Sequence, residues 1–306
     1  MALLYRAHHA SFGPSGRLSN SHGEDTSVLF RFFKSLFGIL EAPAPPSHLV
    51  VVLDSGGPTF RHEISSGYKG QREACPPQVS AAANRLLVLL PLLGIPVVRE
   101  AGWEADDVIG TLALRAVEAG LHVGIVSPDK DFLQLLRPGL ELLRIPTKTT
   151  GKAKYLLPPY THQDFARDYG GLAPAQYAEV LALAGDSADS IPGLPNIGEK
   201  TAMALLQQFG SMQGLLESAE QVKRKPAREA LTAPGAAQQA QDCLAMATIR
   251  TNLDDLPLAG LPPEHWRLRG VGEEDRAAAV REFEWLEFKS LLQPLQRHLD
   301  RLAALP

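Results

Sequence analysis

Short groups of acidic residues recur along this sequence at spacings that allow two or more carboxylates to act together. Carboxylates that converge repel one another unless cations lie between them, and the hard divalent cations Mg²⁺ and Mn²⁺ prefer oxygen ligands. Two such ions about 3.5–4 Å apart are suited to phosphodiester hydrolysis, because they activate water and stabilise the leaving oxygen. The candidate ligands are Asp54, Glu104, Asp106, Asp107, Asp129, Asp131, Asp186 and Asp189.

Each acidic group also has a simpler structural explanation when it is considered alone. Acidic residues in the first turn of a helix interact favourably with the helix dipole, and this explanation suits EADD (104–107) best. An Asp-x-Asp pair after a strand often forms a turn or an N-cap, and GDSAD (185–189) is compatible with a polar loop. The metal site is therefore predicted from the joint pattern and from no single group.

A glycine-rich segment, GLPNIGEKT (193–201), is the second candidate for chemistry. It resembles the phosphate-binding loop of NTPases, but Glu199 adds a residue between the second glycine and the lysine, and no predicted strand precedes it. These differences disfavour nucleotide hydrolysis. The alternative is a glycine hairpin between two helices, whose backbone N–H groups and helix N-terminus can hold a nucleic-acid phosphate.

Alternating strands and helices are predicted to position the first acidic groups. Strands are expected over 48–53, 95–98, 121–126 and 140–145, and amphipathic helices over 25–41, 77–93 and 104–119. This order is typical of a parallel sheet covered by helices on both faces. Asp54 and SPDKD (127–131) each follow a strand, so we expect them at the carboxyl edge, where open α/β sheets place their sites.

The pattern changes at about residue 160, where the strand pattern disappears. Short helical segments separated by glycine and proline predict a helical subdomain that closes with a long helix over about 283–303. We therefore predict two domains, 1–160 and 161–306. Arg61–Arg72 and Lys148–Lys154 are interpreted as mobile basic loops.

Composition limits the classes of protein that this chain can belong to. Hydrophobic residues make up 45% of the 306 residues and charged residues 21%, which excludes collagen, coiled coil and wholesale disorder. The net charge is 30 − 34 = −4, although a local basic patch suffices to bind nucleic acid. Two cysteines give neither a disulfide framework nor a four-ligand zinc site. The longest apolar run, Leu86–Val98, contains two prolines and is too short to span a bilayer, so no membrane partner is expected.

In order, these motifs resemble the 5′-nuclease family, which includes the nuclease domain of bacterial DNA polymerase I, phage 5′-exonucleases and flap endonucleases. The resemblance covers nearly the whole chain. It implies a PIN-like parallel sheet flanked by helices, followed by an α-helical subdomain with a helix-three-turn-helix element at about 186–209. The matching segments are YRAHHA (5–10), VVLDSGGPTFRHE (51–63), GYK (67–69), EADD (104–107), SPDKD (127–131), GDSADSIPG (185–193) and NIGEKTA (196–202), with weaker matches at RTNL (250–253) and EFEWLEFKSLL (282–292).

The resemblance also implies roles for individual residues. Metal ligands would be Asp54, Glu104, Asp106, Asp129 and Asp131, with Asp186 and Asp189 at a second metal site and Asp107 beside them. Arg61, Lys69 and Arg72 fall on the matching arch, about 61–76, where cations would steer the scissile phosphate and stabilise its charge. Tyr68 would stack on a terminal base, with a packing role left open. The remaining expected DNA contacts are Ile191, Gly193, Ile197, Gly198, Lys200 and Thr201, with a bound K⁺ at the hairpin.

The implied activity is that of a 5′-3′ exonuclease or 5′-flap endonuclease that uses two Mg²⁺ or Mn²⁺ ions to hydrolyse DNA phosphodiesters in replication and repair. Its partner would be DNA with a 5′ end or 5′ flap, RNA-primed strands included, and the chain is expected to be a monomer. A bacterial cytoplasm, a eukaryotic organelle and a nucleus all remain open as compartments. Two alternatives also remain open: a catalytically impaired DNA-structure-binding protein of the same family, and a PIN-type ribonuclease.

Three departures from the family pattern affect these expectations. Ser190 stands where the family often has Asn, and the segment Arg144–Tyr155 is longer than usual. In the family an apolar strand ending in a metal-binding Asp precedes YRA, whereas here only Met1–Leu4 precede it. We therefore expect that strand and ligand to be missing, and expect these 306 residues to be less stable and weakly active.

Overall fold

The computed structural model describes residues 1–12, 16–144, 158–253 and 263–305. The strands are β1 (Val51–Val52), β2 (Val97–Val98), β3 (Val123–Val126) and β4 (Leu140–Leu143). The helices before residue 145 are α1 (Ala2–Ala10), α2 (Ser27–Leu40), α3 (Phe60–Ile64), α4 (Pro77–Leu92) and α5 (Ala105–Glu118). Those after residue 157 are α6 (His162–Asp168), α7 (Tyr177–Ala184), α8 (Glu199–Phe209), α9 (Met212–Glu217), α10 (Lys225–Thr232), α11 (Ala236–Ala247), α12 (Glu273–Trp285) and α13 (Leu292–Ala303).

The four strands form two separate parallel pairs, β1 with β2 and β3 with β4. Val51 lies opposite Val97, and Val123 lies opposite Leu140. The α/β class and the parallel pairing are confirmed, but the strands are shorter than predicted. In the first pair, Pro96 directly precedes β2. Proline has no N–H group, so the ladder of hydrogen bonds cannot be extended through this residue.

The amphipathic helices predicted in the first part of the chain are confirmed as α2, α4 and α5. Helix α2 buries the apolar face that its spacing indicates, including Phe33 and Phe37. The rings of Phe33 and Phe283 lie 4.8 Å apart, edge to face. This face of α2 therefore packs against α12, close to the other end of the sequence.

Core packing crosses the predicted boundary between residues 160 and 161. One cluster of buried side chains combines α1, α2 and α4 with residues 268–302 of the C-terminal part. A second cluster combines β3, β4 and the segment 131–136 with α6, α7, α8 and α11. The division into domains 1–160 and 161–306 stays a prediction, and α12 and α13 share their core with the N-terminal helices.

The single long helix predicted over 283–303 is wrong. Helix α12 ends at Trp285 and α13 begins at Leu292, with Glu287 between them at φ +56°. An L-residue in this left-handed region ends a right-handed helix. Leu286 and Phe288, on either side of Glu287, are both buried. The break therefore directs both Leu286 and Phe288 into the core. In the sequence, apolar residues continue at helical spacing across the break, so the spacing does not reveal it.

The loop between α7 and α8 forms the expected helical hairpin. Asp186 and Ile191 exchange two backbone hydrogen bonds, of 2.9 and 2.8 Å. A Cβ atom at Gly193 would lie 2.3 Å from the backbone nitrogen of Gly185, so the close approach of these two segments requires glycine there. Ser190 adopts φ +59°, a conformation that Asn tolerates better than Ser does.

Two further expectations concern the basic loops and the membrane. The segment Arg61–Arg72 is no mobile loop: it begins within α3, continues in hydrogen-bonded turns, and its first arginine is buried. Lys148–Lys154 lies outside the described residues.

Within the described ranges, no helix has the length and apolar character needed to cross a membrane. Cys75 and Cys243 are both unpaired, as expected.

A buried histidine on α13 makes the fold sensitive to pH. The Nε2 atom of His298 lies 2.9 Å from the carbonyl oxygen of Leu93, and Nδ1 has no hydrogen-bond partner among the described residues. Burial, followed by the nearby charge of Arg301, lowers the pKa of His298 below its usual value. Protonation of Nδ1 would place an unpartnered charge in the core, so the folded protein favours the neutral ring.

We predict that acid destabilises the wild-type protein more than a His298→Gln variant. The unfolded chain protonates this histidine near its ordinary pKa of about 6.5, while the folded chain resists protonation. The free energy of unfolding should therefore fall as the pH falls from about 7.5 to about 5. Glutamine keeps an N–H donor for Leu93 and does not titrate. Urea unfolding at each pH measures both proteins, and parallel pH profiles would contradict the prediction.

Candidate active site

The carboxylates of Asp54 and Glu104 are brought together where β1 ends and α5 begins. Asp54 follows β1, and its Oδ1 atom accepts a hydrogen bond of 3.0 Å from the backbone N–H of Ala105, the first residue of α5. Glu104 is the N-cap residue of α5. A carboxylate at this position is favoured by the free N–H groups and the dipole of the helix.

The SPDKD segment forms a tight polar turn after β3. The backbone N–H of Asp131 donates to Oδ1 of Asp129 at 3.0 Å, and the N–H of Asp129 donates to Oγ of Ser127 at 3.1 Å. A short 3₁₀ turn, Asp131–Leu135, begins here. The turn geometry that explains an Asp-x-Asp pair locally is therefore present.

The acidic groups at this edge repel one another. Burial, the neighbouring Asp129 and then Asp54 raise the pKa of Asp106 well above its ordinary value. Burial, followed by the charges of Asp129 and Asp189, raises the pKa of Asp131 to about 7. The charge of Asp129 therefore acts on both Asp106 and Asp131.

Lys69 and Tyr68 bridge α5 to the helical hairpin. The ammonium of Lys69 lies 2.8 Å from Oε2 of Glu104 and 3.5 Å from Oδ2 of Asp189. The Tyr68 hydroxyl lies 3.2 and 2.9 Å from the same two oxygens. Arg72 forms an ion pair with the other oxygen of Asp189. Lys69 and Arg72 therefore neutralise part of the negative charge of the edge, and the Tyr68 hydroxyl adds hydrogen bonds to the same carboxylates.

The expectation that Tyr68 stacks on a terminal base is wrong for this conformation. Its side chain is 3% exposed and lies in the core cluster, with a ring contact of 5.5 Å to His62. Burial raises the pKa of the hydroxyl, and the charges of Glu104 and Asp189 raise it further. Tyr68 is thus a neutral donor fixed against two carboxylates, which corresponds to the packing role left open by the sequence.

The expectation that Arg61 steers a phosphate also needs correction. Arg61 is 2% exposed, and its Nη1 and Nη2 atoms donate to both oxygens of Asp107 at 2.7 and 2.8 Å. Its Nε atom donates to the carbonyl of Met246, and Nη2 also donates to that of Thr248. Each of the three guanidinium nitrogens is hydrogen-bonded, and Nη1 also lies 3.5 Å from Oε2 of Glu104. Because the side chain is buried within this network, it is not exposed to a substrate.

Asp107 lies at the centre of this buried network. Its side chain is inaccessible to solvent, and Oδ1 also accepts the backbone N–H of Arg250 at 2.8 Å. Burial alone would lower the pKa of Arg61, but the hydrogen bonds and charge of Asp107 raise it instead. Both carboxylate oxygens already accept hydrogen bonds, so Asp107 contributes to the site by holding Arg61.

The donor chemistry of the edge fits a hard divalent cation. All the groups are carboxylates, the ligands that Mg²⁺ and Mn²⁺ prefer. Burial first and the neighbouring aspartates second raise the pKa of Asp106 and of Asp131, and a cation would relieve the repulsion between the carboxylates. In the described part of the chain, however, no three His, Cys, Asp or Glu side chains are arranged so as to hold an ion. Lys69 instead lies between Glu104 and Asp189. The metal-ligand roles stay predictions.

The hairpin residues divide into an exposed and a buried set. Gly198 and Lys200 are exposed at the start of α8, whereas the side chains of Ile191 and Ile197 are buried. Gly193 is buried by the backbone contact described above. Only the exposed set can meet a phosphate through a side chain or a free N–H group.

Sequence reasoning missed a cation beside this hairpin. The Nη1 atom of Arg224 donates to Oγ1 of Thr201 at 2.5 Å. Arg224 lies between Lys223 and Lys225, and all three are exposed. The KRK run was visible in the sequence, but only the fold brings it beside the hairpin.

Comparison with known proteins identifies the family. The family described as "5'-3' exonuclease, N-terminal resolvase-like domain" matches residues 1–170, and "5'-3' exonuclease, C-terminal SAM fold" matches residues 172–274. The chain therefore belongs to the 5′-3′ exonuclease family, whose members hydrolyse phosphodiester bonds in DNA, and the resemblance found in the sequence is confirmed.

The curated relatives are much longer than this chain. DNA polymerase I of Bacillus caldotenax is 35% identical over 283 residues, which cover 91% of this chain and 30% of the relative. DNA polymerase I of Chloroflexus aurantiacus is 37% identical over 287 residues, which cover 94% and 29%. The chain thus spans less than a third of these relatives.

Solved structures confirm the fold. The T5 5′-exonuclease with bound zinc ions aligns with a TM-score of 0.60 and 18% identity over 93% of this chain and 96% of that chain. The catalytic core of Rad2 in complex with a DNA substrate aligns with a TM-score of 0.51 and 18% identity, over 88% and 86%. At this level of identity the likeness establishes the arrangement of the chain alone.

We predict that Arg61→Ala lowers the free energy of unfolding by about 3–5 kcal/mol, because it leaves the buried Asp107 carboxylate without its partner. Arg72→Ala is the matched control, since Arg72 pairs with Asp189 but is 52% exposed. Exposed pairs contribute only about 0–1 kcal/mol, so the control should unfold close to the wild type in urea. Similar losses in the two variants would contradict the structural role of Arg61.

Proposed function

We propose that this chain cleaves DNA as a divalent-metal-dependent 5′-3′ exonuclease and 5′-flap endonuclease. The observation that carries the proposal is the meeting of carboxylates at one edge, where Asp54 bonds the backbone N–H next to Glu104 and the Lys69 ammonium joins Glu104 to Asp189. When bound there, two Mg²⁺ or Mn²⁺ ions would supply an activated water and stabilise the leaving oxygen. The residues proposed to hold them are Asp54, Glu104, Asp106, Asp129, Asp131, Asp186 and Asp189.

The cations at the edge suit the stabilisation of a phosphate. Lys69 and Arg72 contact Glu104 and Asp189 directly, so they lie where the scissile phosphate would approach the carboxylates. There they would stabilise the charge that develops on the phosphate oxygens. Tyr68 keeps its two carboxylates at a fixed separation. No side-chain nucleophile is needed for this chemistry.

The helical hairpin is the proposed contact with duplex DNA. Gly198 and Lys200 offer N–H groups and an ammonium at the N-terminus of α8, which favours a phosphate. Ile191, Gly193 and Ile197 would act through the backbone of the loop, where a K⁺ ion would also bind. Such contacts position the substrate and carry no sequence information. The proposed substrate is DNA with a 5′ end or 5′ flap, RNA-primed strands included, bound by a monomer.

A second candidate function is a DNA-structure-binding protein with impaired turnover. It is favoured by the position of the Lys69 ammonium between Glu104 and Asp189 and by the finding that no three potential ligands of the described chain form a ready ion site. A PIN-type ribonuclease is less well supported, because the hairpin and the DNA polymerase I relatives both favour DNA.

We predict that a 5′-flapped DNA duplex is cleaved with Mg²⁺ or Mn²⁺ and left intact with EDTA. Asp131→Asn should slow cleavage more than about a hundredfold, because metal stabilisation of the transition state amounts to about several kcal/mol. DNA binding in EDTA should be unchanged or tighter, since one repelling charge is removed. Asp275→Asn, an exposed change in the first turn of α12, is the control with the same charge difference.

Two results of that assay would contradict the proposal in different ways. A wild-type chain that binds the flapped duplex but does not cleave it would support the impaired binding protein. Cleavage by Asp131→Asn at the wild-type rate would show that the metal assignment is wrong.

We predict that Lys200→Ala weakens binding to blunt duplexes of every sequence to the same extent. Loss of one phosphate contact lowers the slope of log K against log[salt] by about 0.9. Lys34→Ala, which removes an exposed lysine from α2, should leave the slope unchanged. Fluorescence anisotropy across a salt series measures both variants. A sequence-dependent loss, or equal slopes for wild type and Lys200→Ala, would exclude the phosphate contact.

A further inference from the structure

An exposed arginine contacts an aromatic pair beside the acidic edge. The guanidinium carbon of Arg250 lies 3.7 Å from the ring centroid of Phe60 and 5.9 Å from that of Trp103. The two rings are 6.0 Å apart, and both are partly exposed. We call these three residues the Arg250 platform. Contact with the two rings restrains the exposed guanidinium, and among the described residues no carboxylate forms an ion pair with it.

The buried ion pair fixes this platform to the carboxylate edge. The backbone N–H of Arg250 donates to Asp107, and Phe60 directly precedes Arg61. Trp103 directly precedes Glu104. Each member of the platform is therefore bonded or adjacent in sequence to a residue of the acidic edge or of its buried ion pair. The platform and the acidic edge are expected to move together.

An open cleft lies on the Phe60 side of the platform. Its volume is about 370 Å³, and it is open to solvent. The lining residues are Pro58, Thr59, Phe60, His62, Glu63 and Gly102. Phe60 thus belongs both to the cleft wall and to the platform, and Gly102 connects the wall to Trp103.

We propose that the Arg250 platform stacks an unpaired nucleobase of the DNA substrate, with the cleft receiving that nucleotide. The planar guanidinium and the indole of Trp103 both offer faces on which any base can stack, while the guanidinium N–H groups can also meet the adjoining phosphate. Because Arg250 is already ordered against Phe60, it loses little further freedom on binding. This inference rests on the proposed function, since it assigns a place for the unpaired part of the same substrate.

The chain contains a second tryptophan–arginine pair that serves as a control. The guanidinium carbon of Arg85 lies 5.2 Å from the ring of Trp285, which is 42% exposed. Arg85 is also paired with Glu282, and both tryptophan and carboxylate lie on α12. This pair has the same residue types, but α12 carries none of the proposed metal or DNA contacts.

Tryptophan fluorescence in EDTA tests the platform without cleavage. The probes are one duplex with a 5′ overhang, one with a 3′ overhang and one that is blunt. We expect an overhang to quench the wild-type protein more than the blunt duplex does. The additional quenching should disappear in Trp103→Phe and persist in Trp285→Phe. The two overhangs show which strand supplies the base.

A binding measurement with Arg250→Gln completes the test. Stacking of one base is expected to contribute at least about a fivefold difference in Kd for the overhang duplex, with no change for the blunt duplex. The variant keeps the backbone N–H that bonds Asp107, and its urea unfolding curve should match that of the wild type. Arg85→Gln should bind both duplexes like the wild type.

Several outcomes would overturn the inference. Equal quenching by all three duplexes, or equal weakening of blunt and overhang binding in Arg250→Gln, would make Arg250 an ordinary phosphate contact. Unchanged binding in that variant, combined with normal cleavage of a 5′-flapped duplex by the wild type, would reject the platform and leave the proposed function intact. Failure of the wild type to bind any duplex would reject both.

Discussion

The buried ion pair between Arg61 and Asp107 is the constraint on which the rest of the site depends. Two full charges inside a protein are tolerated only when their geometry is good and every remaining donor and acceptor has a partner. Here the partners come from distant parts of the sequence: Asp107 is 46 residues from Arg61, and Met246 is 185 residues from it. Satisfying one guanidinium therefore fixes three segments against one another, namely α3, α5 and the C-terminal end of α11.

The acidic edge beside this pair is balanced by side chains that carry positive charge. Lys69 and Arg72 are bound to Glu104 and Asp189, and Lys69 holds a left-handed backbone conformation, φ +52°, while doing so. Any cation that binds between these carboxylates must compete with the Lys69 ammonium for the same oxygens. Ion binding and release of the lysine are therefore linked, and the released ammonium becomes available to a phosphate.

Much of the fold was predictable because it depends on local patterns. Helical spacing located α2 and α5, and the position of Asp54 after an apolar run indicated a strand end. The break at Glu287 was hidden, since the apolar spacing continued through it and glutamate gives no indication of a positive φ. The burial of Arg61 was hidden for another reason. Arginine is mostly an exposed residue type, and no local pattern shows that its carboxylate partner lies one strand and one helix away.

The candidate site shows the same limit. The acidic groups could be recognised in the sequence. Which cations contact them could not, because that depends on how the segment after α3 folds back towards α5 and the hairpin. Arg250 and Trp103 were missed because nothing near either residue in the sequence indicates that they share a surface. Residues that act through long-range contacts need the tertiary structure, whereas residues fixed by strand ends and helix starts do not.

The packing of α2 against α12 has a consequence for how the chain is made. The apolar face of α2, with Phe33 and Phe37, emerges early from the ribosome, but Phe283, Leu295 and Leu299 that cover it are synthesised much later. Domains generally fold as units during synthesis, and this unit cannot close until nearly the whole chain is available. The part of the α2 face that packs against α12 and α13 therefore stays uncovered until those helices are synthesised, although α1 and α4 can pack on α2 earlier. Apolar surface that stays exposed in this way favours aggregation until residues 268–302 are present to cover it.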